Sequence, residues 1–501
     1  MTENRKISRE RLEGQPGAVY TETVLKPSYD FMLEHYFEAL VETNKAWTIG
    51  LLETGIIEQT TAASLLTAIR SLESDGRAGM GEFDPNVEYF YSTMERYLIG
   101  SVGEDVAGEI NIGRTRPEPL VRLVVRERLL IAEQALCDLR ARLLSMAEEH
   151  RDTIMPIGTH MQHAQVSTLA HYLMGLVNAF ERDGQRLSAA YHRTNHCTLG
   201  CGALAGSSYP IDRERVSELL GFEGLVENTN DCVAAGDYML ETAAALANMQ
   251  MTVSRLCEDF YIWHTQEFGY ISIGDDYSGS SSMMPQKKNP YPFEYARTAG
   301  AHAVGEMTSA YTTLHNTNYQ DIKDVEEGLA PPVFRSLADA VRILRLVEGT
   351  LSTVEVDKEA TAAQAAKHFA TCTELAAAIH RKSDFSFRTA HRVVGNLVLK
   401  AIRQGLDATD VDAALVSESA REIVGDALDI DDKTVRKALH PADFVAAHAI
   451  IGGPAADAIN VAIDSARHRL DLDRRNIADR RRILDEAGEE RNSLVSRLAT
   501  H

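Results

Sequence analysis

The sequence predicts an all-α protein built around long amphipathic helices, and three observations carry that prediction. From Leu120 to Glu149 there is no glycine or proline, and Leu120, Leu123, Val124, Leu130, Ile131, Leu136, Leu139, Leu143 and Met146 recur close to the helical period. Similar long patterns fill Val166–Arg193, Asp237–His264 and Phe334–Val354. Strand-like alternation is scarce, so the apolar stripes must bury against one another as a bundle.

Taken in order, the elements fall into three blocks, residues 1–113, 114–365 and 366–501, as befits a chain of 501 residues. Ile110-Asn111-Ile112-Gly113 precedes the first long helix, whose start is marked by Pro117 and Pro119. That helix would run about 45 Å at roughly 1.5 Å per residue. Gly175 and Gly184 are possible breaks in the second pattern. Beyond Asp357 the helices shorten, with interruptions at Gly395, Gly405, Gly425 and Pro441. The tail from Val461 to Arg497 is helix-like and highly charged, and reads as a solvated or intersubunit helix. Long helices with wide apolar faces bury them best by association, which predicts a homo-oligomer.

Composition narrows the function classes. Hydrophobic residues make up 44% and charged residues 25%, an ordinary globular balance. No apolar run approaches the roughly 20 residues of a membrane span. The start, Met1-Thr2-Glu3-Asn4-Arg5-Lys6, lacks the apolar core of a signal peptide, so a cytoplasmic protein is expected. The net charge of -22, from 73 acidic and 51 basic side chains, argues against nucleic-acid binding. It leaves room for a small anionic substrate, because fields are local and salt screens distant charge. Of six scattered cysteines only Cys197 and Cys201 are close, beside His196, and no second ligand pair has zinc spacing. Reduced, buried thiols are expected, with no metal and no organic cofactor.

Four segments carry groups suited to chemistry. Ser280-Ser281-Ser282-Met283-Met284-Pro285-Gln286-Lys287-Lys288-Asn289-Pro290 packs hydroxyls, two lysines and an amide into one stretch after a loop-like Gly274–Gly279. A serine can act as a base only when held as an alkoxide by N–H groups and nearby cations, which Lys287 and Lys288 supply. Arg114 and Arg116 at a presumed helix start could fork onto a carboxylate, or form a surface salt-bridge cluster. In Gly158-Thr159-His160-Met161-Gln162-His163, His160 is a candidate acid, base or orienting group, against a purely structural histidine. In His315–Lys323, Gln320 and Lys323 lie about one helical turn apart and could face a polar ligand, while capping and turn formation would explain Asn316, Asn318 and Asp321.

These segments, in this order over roughly Val102 to Leu329, resemble the fumarase/aspartase superfamily, and most closely its argininosuccinate lyase branch. Ser280 to Pro290 resembles the branch's Gly-Ser-Ser-x-Met-Pro-Gln-Lys-Lys-Asn-Pro loop. Val102–Gly108 leading into Gly113–Arg116 resembles its fumarate-binding approach, and Met155–Gln162 its histidine segment. Gly202–Gly206, Pro210–Arg213 and Leu219–Phe222 are similar to its central region. The resemblance implies three mostly helical domains, a tetramer whose long helices form a 20-helix core, and active sites shared by three subunits. It also implies β-elimination of an amine from a succinyl group to leave fumarate. Carried over by motif, Ser281 would take the Cβ proton, and Lys287 and Asn289 would hold the carboxylate that becomes an aci-carboxylate. His160 would orient substrate or relay a proton, with Glu294 as its acidic partner. Thr159, Ser282 and Arg114 would bind the succinyl end, and Asn111, Arg116 and Met284 are placed in the same substrate-binding set. His315, Gln320 and Lys323 would lie on the amine side.

Departures bear on the amine. The branch's Gly-Arg-Ser-Arg-Asn-Asp run reads Gly113-Arg114-Thr115-Arg116-Pro117-Glu118 here, so a ligand-binding Asn has become Pro117. The branch's arginine-side Tyr aligns with His315, its Ser-Asp-Arg-Asp run with Ala234-Ala235-Gly236-Asp237, and its N-terminal Trp-Gly-Gly-Arg-Phe element is absent. A site built to hydrogen-bond one group discriminates strongly when that pairing changes. The expectation is a carbon–nitrogen lyase acting on an N-substituted aspartate other than argininosuccinate, as ethylenediamine-N,N'-disuccinate lyase does, with His315 and Lys323 facing a second acidic arm. Argininosuccinate lyase itself is the alternative. Some proteins of the branch are structural and without catalysis; the presence of Ser281, His160, Lys287 and Glu294 favours an active enzyme.

Overall fold

The computed structural model describes residues 12, 14–115 and 119–499. The Met1–Lys6 start and the candidates Arg116 and Pro117 lie outside the described residues. Five long helices form the centre: α2 (Leu120–Glu149), α3 (Leu169–Thr194), α4 (Asp237–Trp263), α5 (Tyr291–Leu314) and α6 (Ala330–Leu351). Each packs on at least two others, α2 on α3 and α6, and α4 on α3, α5 and α6. α2 forms as expected, because nothing in its sequence breaks the pattern between Pro119 at its cap and His150 at its end. α1 (Lys26–Glu53) and the helices Gln59–Asp75 and Phe90–Val102 join the same apolar core, through Tyr36, Leu40, Trp47, Leu66 and Met94. A second core, built on Leu375, Ile379, Val393, Leu397, Val416 and Val435, holds the short helices between Cys372 and Leu439.

Several expectations are corrected. Val166–Thr168 is not helical: it ends β2 (Gln162–Thr168), which pairs antiparallel with β1 (Ile154–Thr159). Their joint is His160-Met161, both at positive φ (56° and 59°), as a two-residue type I′ hairpin turn requires. No Asn-Gly announces that turn, so the pattern hides it. Gly175, Gly184 and Gly395 do not interrupt their helices, since packing outweighs a penalty of about 1 kcal/mol per glycine. Gly405 and Gly425 do end helices, in the left-handed conformation.

The tail is the largest correction. α7 (Ala456–Leu498) is one helix of 43 residues, solvated over most of its surface but with one face buried in its own chain, which the sequence reading did not expect. Ile459, Ile463, Ala466 and Leu470 recur every three or four positions, Ile477 follows two turns on, and all enter the main core. Polar clamps continue the stripe: Arg140 of α2 reaches Asp473 at 2.5 Å, and the buried Arg480 meets the buried Glu133 at 3.0 Å. Its remaining faces carry the charge.

Candidate active site

The flagged residues gather at two opposite ends of the bundle. At one end α2 stops, the hairpin turns, α3 begins, α4 stops and α5 begins. Tyr172 on α3 donates to Asp259 on α4 at 2.6 Å, and Tyr261 on α4 donates to Glu294 on α5 at 3.2 Å. This end holds Thr159, His160, Ser281, Ser282, Met284, Lys287, Asn289 and Glu294. At the other end α2 begins, α3 stops, α4 begins and α5 stops. There Arg122 lies 4.0 Å from the Tyr238 ring centroid, and donates to the carbonyls of Arg193 and Thr194. Gly236 packs directly on Leu314 and Leu329. This end holds Asn111, Arg114, His315, Gln320 and Lys323. The 24 residues of α5 separate the two ends, a span of about 36 Å. No single copy brings its own Ser281 to its own Arg114.

At the serine end, the loop before α5 is closed by backbone pairing. The Gly279 N–H donates to the Asn289 carbonyl at 2.8 Å and the Asn289 N–H returns to Gly279 at 2.9 Å. A side chain at 279 would enter the Tyr291 ring, so only glycine lets that ring cover the strand. Within the loop, the half-buried Ser281 hydroxyl accepts from the Met284 amide at 3.1 Å and the Met283 amide at 3.4 Å. Two N–H dipoles aimed at one serine oxygen are what an alkoxide requires. Lys287, Ser282 and Met284 are exposed on the same loop, and Lys288 is drawn aside by Asp275 at 2.8 Å. Asn289 is engaged within its own loop. It is 7% exposed, and its amide donates to the Gly279 carbonyl (3.2 Å) and the Tyr291 hydroxyl (3.3 Å). In this loop arrangement it is a staple.

Glu294 is exposed and accepts from Tyr261, a residue the sequence did not single out. The Glu294 carboxylate, with some burial, pushes the Tyr261 phenol above its ordinary range. Arg297 lies over the same ring and pairs with Glu258 at 2.8 Å, which fixes the ring's face. His160 and Thr159 stand exposed at the hairpin tip, with His160 in the left-handed region.

At the far end, Arg114 is oriented by another unflagged residue. Asn44 of α1 is buried and accepts from Arg114 Nη1 at 2.9 Å. Its own amide is held by the Leu40 carbonyl (2.7 Å) and Met94 Sδ (3.2 Å). An amide buried mid-helix was the available signal, since Asn favours caps over helix interiors. Asn111 donates to Glu95 at 2.8 Å beside it. Lys323 is engaged: its ammonium lies 2.7 Å from Glu326 and 2.6 Å from Glu327 in a π-helical turn, Asp324–Gly328. Crowding alone would lower its pKa, but the two carboxylates outweigh that and raise it, so the charge persists. His315 ends α5, exposed, and Gln320 is exposed beside it. A cavity of about 670 Å³ opens here, lined by Arg122, Arg193, Asp231, Asp237, Tyr238 and Tyr319, with the small Ala234-Ala235-Gly236 run in its wall. Cys197 and Cys201 are buried as expected, and no set of three or more His, Cys, Asp or Glu among the described residues is arranged to hold a metal ion.

Comparison with known proteins gives the chain's family and fold. A lyase family model matches residues 10–305, and an argininosuccinate lyase C-terminal model matches 369–446. The argininosuccinate lyase of Methanothermobacter thermautotrophicus is 35% identical over 444 residues, 88% of this chain and 94% of that one. A structure of an EDDS lyase variant with bound fumarate superposes with a TM-score of 0.86 at 29% identity, covering 97% of each chain. A class II fumarase from Schistosoma mansoni shares the fold alone, with a TM-score of 0.67 at 15% identity, over 85% of this chain and 92% of that one.

Proposed function

The chain belongs to the lyase family, in the argininosuccinate lyase branch of the fumarase/aspartase superfamily, and from that premise we propose that it eliminates an amine from an N-substituted aspartate to release fumarate. The observation that carries the reading is the Ser281 hydroxyl under two backbone amides, on a loop that also presents Lys287. Ser281, as the alkoxide, takes the Cβ proton. The electron pair passes into the adjacent carboxylate as an aci-carboxylate, which cationic and N–H donors stabilise. Its collapse forms the C=C bond and breaks the C–N bond, and the nitrogen leaves with a proton. His160, oriented by Glu294, serves the proton traffic, and Arg114 anchors the succinyl end.

The site is composite. A base and an anchor about 36 Å apart in one copy can meet only if copies pack in opposite directions. α5 offers the face for it: its exposed positions from Tyr295 to Thr312, among them Ala301, Val304, Gly305 and Tyr311, are mostly small, apolar or hydroxyl-bearing, and the charged Arg297 and Glu306 are only partly exposed and paired with Glu258 and Arg335. Four copies would supply the twenty helices of a tetrameric core.

The substrate reading follows the amine end. Pro117 offers no side-chain hydrogen bond and His315 replaces a phenol, which favours an aminopolycarboxylate such as ethylenediamine-N,N'-disuccinate over argininosuccinate. Argininosuccinate is the second reading, and one observation favours it: Glu326 and Glu327 engage Lys323, so the segment meant for a second acidic arm is itself acidic. The test is to follow fumarate by its ultraviolet absorbance with a panel of N-succinyl amines. No fumarate from any member would end the lyase reading. A far higher kcat/KM with argininosuccinate would reverse the order of the two substrates.

A further inference from the structure

The hairpin that carries His160 is held from outside the bundle. His163, on β2 opposite Gly158, meets His368 edge to face, with ring centroids 5.1 Å apart and planes at 77°. His368 belongs to the turn that leads into the C-terminal helices. It and Phe369 both sit at positive φ, 59° and 58°, a region that non-glycine residues rarely adopt. That turn is fixed at its other side by Asp407, whose carboxylate accepts from the His368 N–H at 3.1 Å. A second tie runs alongside, Gln165 to Thr373 at 3.3 Å. His163 Nδ1 is buried with no hydrogen-bond partner.

We propose that His163 and His368 form a latch that holds the His160 tip in place while the His163 ring is uncharged, and releases it in acid. His163 is then a positioning residue, acting through the strand that ends at the turn. The charge logic is local. Lys367 adjoins His368, Asp407 accepts from the backbone of His368 rather than from a ring, and the helices packed on the two strands bring Lys358, Glu359 and Asp443; of these groups and His368, only the His368 ring acts on the charge of His163. Protonating His163 would place a cation, with a buried and unpartnered Nδ1, against the His368 ring. Burial, then the neighbouring His368, already hold the His163 pKa below its ordinary value. The mechanistic consequence rests on the proposed role of His160; the latch itself does not.

The test is amide hydrogen exchange of segment 157–164 at pH 7.5 and pH 5.0 in the intact protein, corrected for intrinsic rates. Wild type should lose protection severalfold, about tenfold, at the lower pH, in the direction set by a folded-state ring that resists protonation. His163→Phe keeps an aromatic edge that cannot be protonated, and should hold its protection at both pH values. His368→Gly suits the positive φ, so the turn survives while the ring is lost, and protection should be low at both. Equal pH responses in wild type and His163→Phe, or full protection in His368→Gly, would overturn the latch. His160 is present in every variant, so the differences report the pair. Exchange needs no substrate, so this outcome is independent of the fumarate assay. If fumarate is released, the acid limb of kcat should also move to lower pH in His163→Phe.

Discussion

Replacing Asn44 by alanine should weaken substrate binding without touching the chemistry. Asn44 contacts no proposed reacting group; its carbonyl oxygen accepts from Arg114 Nη1 at 2.9 Å inside the protein. A hydrogen bond to a charged group contributes about 1.5–3 kcal/mol. If that bond fixes the guanidinium where a carboxylate docks, its loss corresponds to roughly a 10- to 150-fold rise in KM. kcat should stay within about threefold, because interactions made equally in ground and transition states leave it unchanged. The bonds to Leu40 and Met94 are lost too, which costs about 1–2 kcal/mol of folding stability. Initial rates of fumarate release across substrate concentration give KM and kcat, and a urea titration gives the stability change. Asn44→Asp keeps the acceptor but turns an oxygen toward the Leu40 carbonyl. It should therefore lose stability with little change in KM. An unchanged KM in Asn44→Ala, or equal rises in KM for the two variants, would refute the argument that Asn44 aims Arg114.

Other outcomes follow from the same geometry. Ser281→Ala should abolish fumarate release while the circular dichroism spectrum and unfolding midpoint stay at wild-type values; near-normal rates would remove Ser281 from the base role. Arg480→Met should cost about 3–5 kcal/mol in urea unfolding, because it strands the buried Glu133 carboxylate. Adding Glu133→Leu should restore most of that, and a single-variant loss under about 1 kcal/mol would contradict the clamp. Burial lowers the His150 pKa, so below about pH 6.5 the unfolded chain takes up a proton that the folded one resists, and stability is lost as pH falls through that range. The drop in urea midpoint from pH 7 to pH 5 should be smaller in His150→Gln than in wild type; equal drops would contradict it.

The long helices were legible because their signal is local and repeated. Nothing between Leu120 and Glu149 competes with the helical period, and the helix runs over those residues. Elements decided by tertiary contact were not. His160-Met161 makes a hairpin turn without turn residues, so β2 consumed what looked like the start of α3. α7 reads as a charged rod until Ile459, Ile463 and Leu470 are seen to share a face, and the acidic and basic residues between them masked that stripe. The reacting groups were legible as types in order. Their placement was not: only the antiparallel course of α4 and α5 shows that Ser281 and Arg114 stand at opposite ends. Asn44 and Tyr261 carry no motif, and only the fold brings them to Arg114 and Glu294.

The central claim is a fumarate-releasing site assembled from different copies of the chain. It is tested most directly by mixing two inactive variants, Ser281→Ala and Arg114→Ala, under conditions that dissociate and reassemble the oligomer. If base and anchor come from different copies, random reassembly restores about a quarter of the sites, and fumarate release returns to roughly that fraction of wild type. If each site is built within one chain, every site in the mixture still carries one lesion, and the mixture releases no more fumarate than the two variants apart.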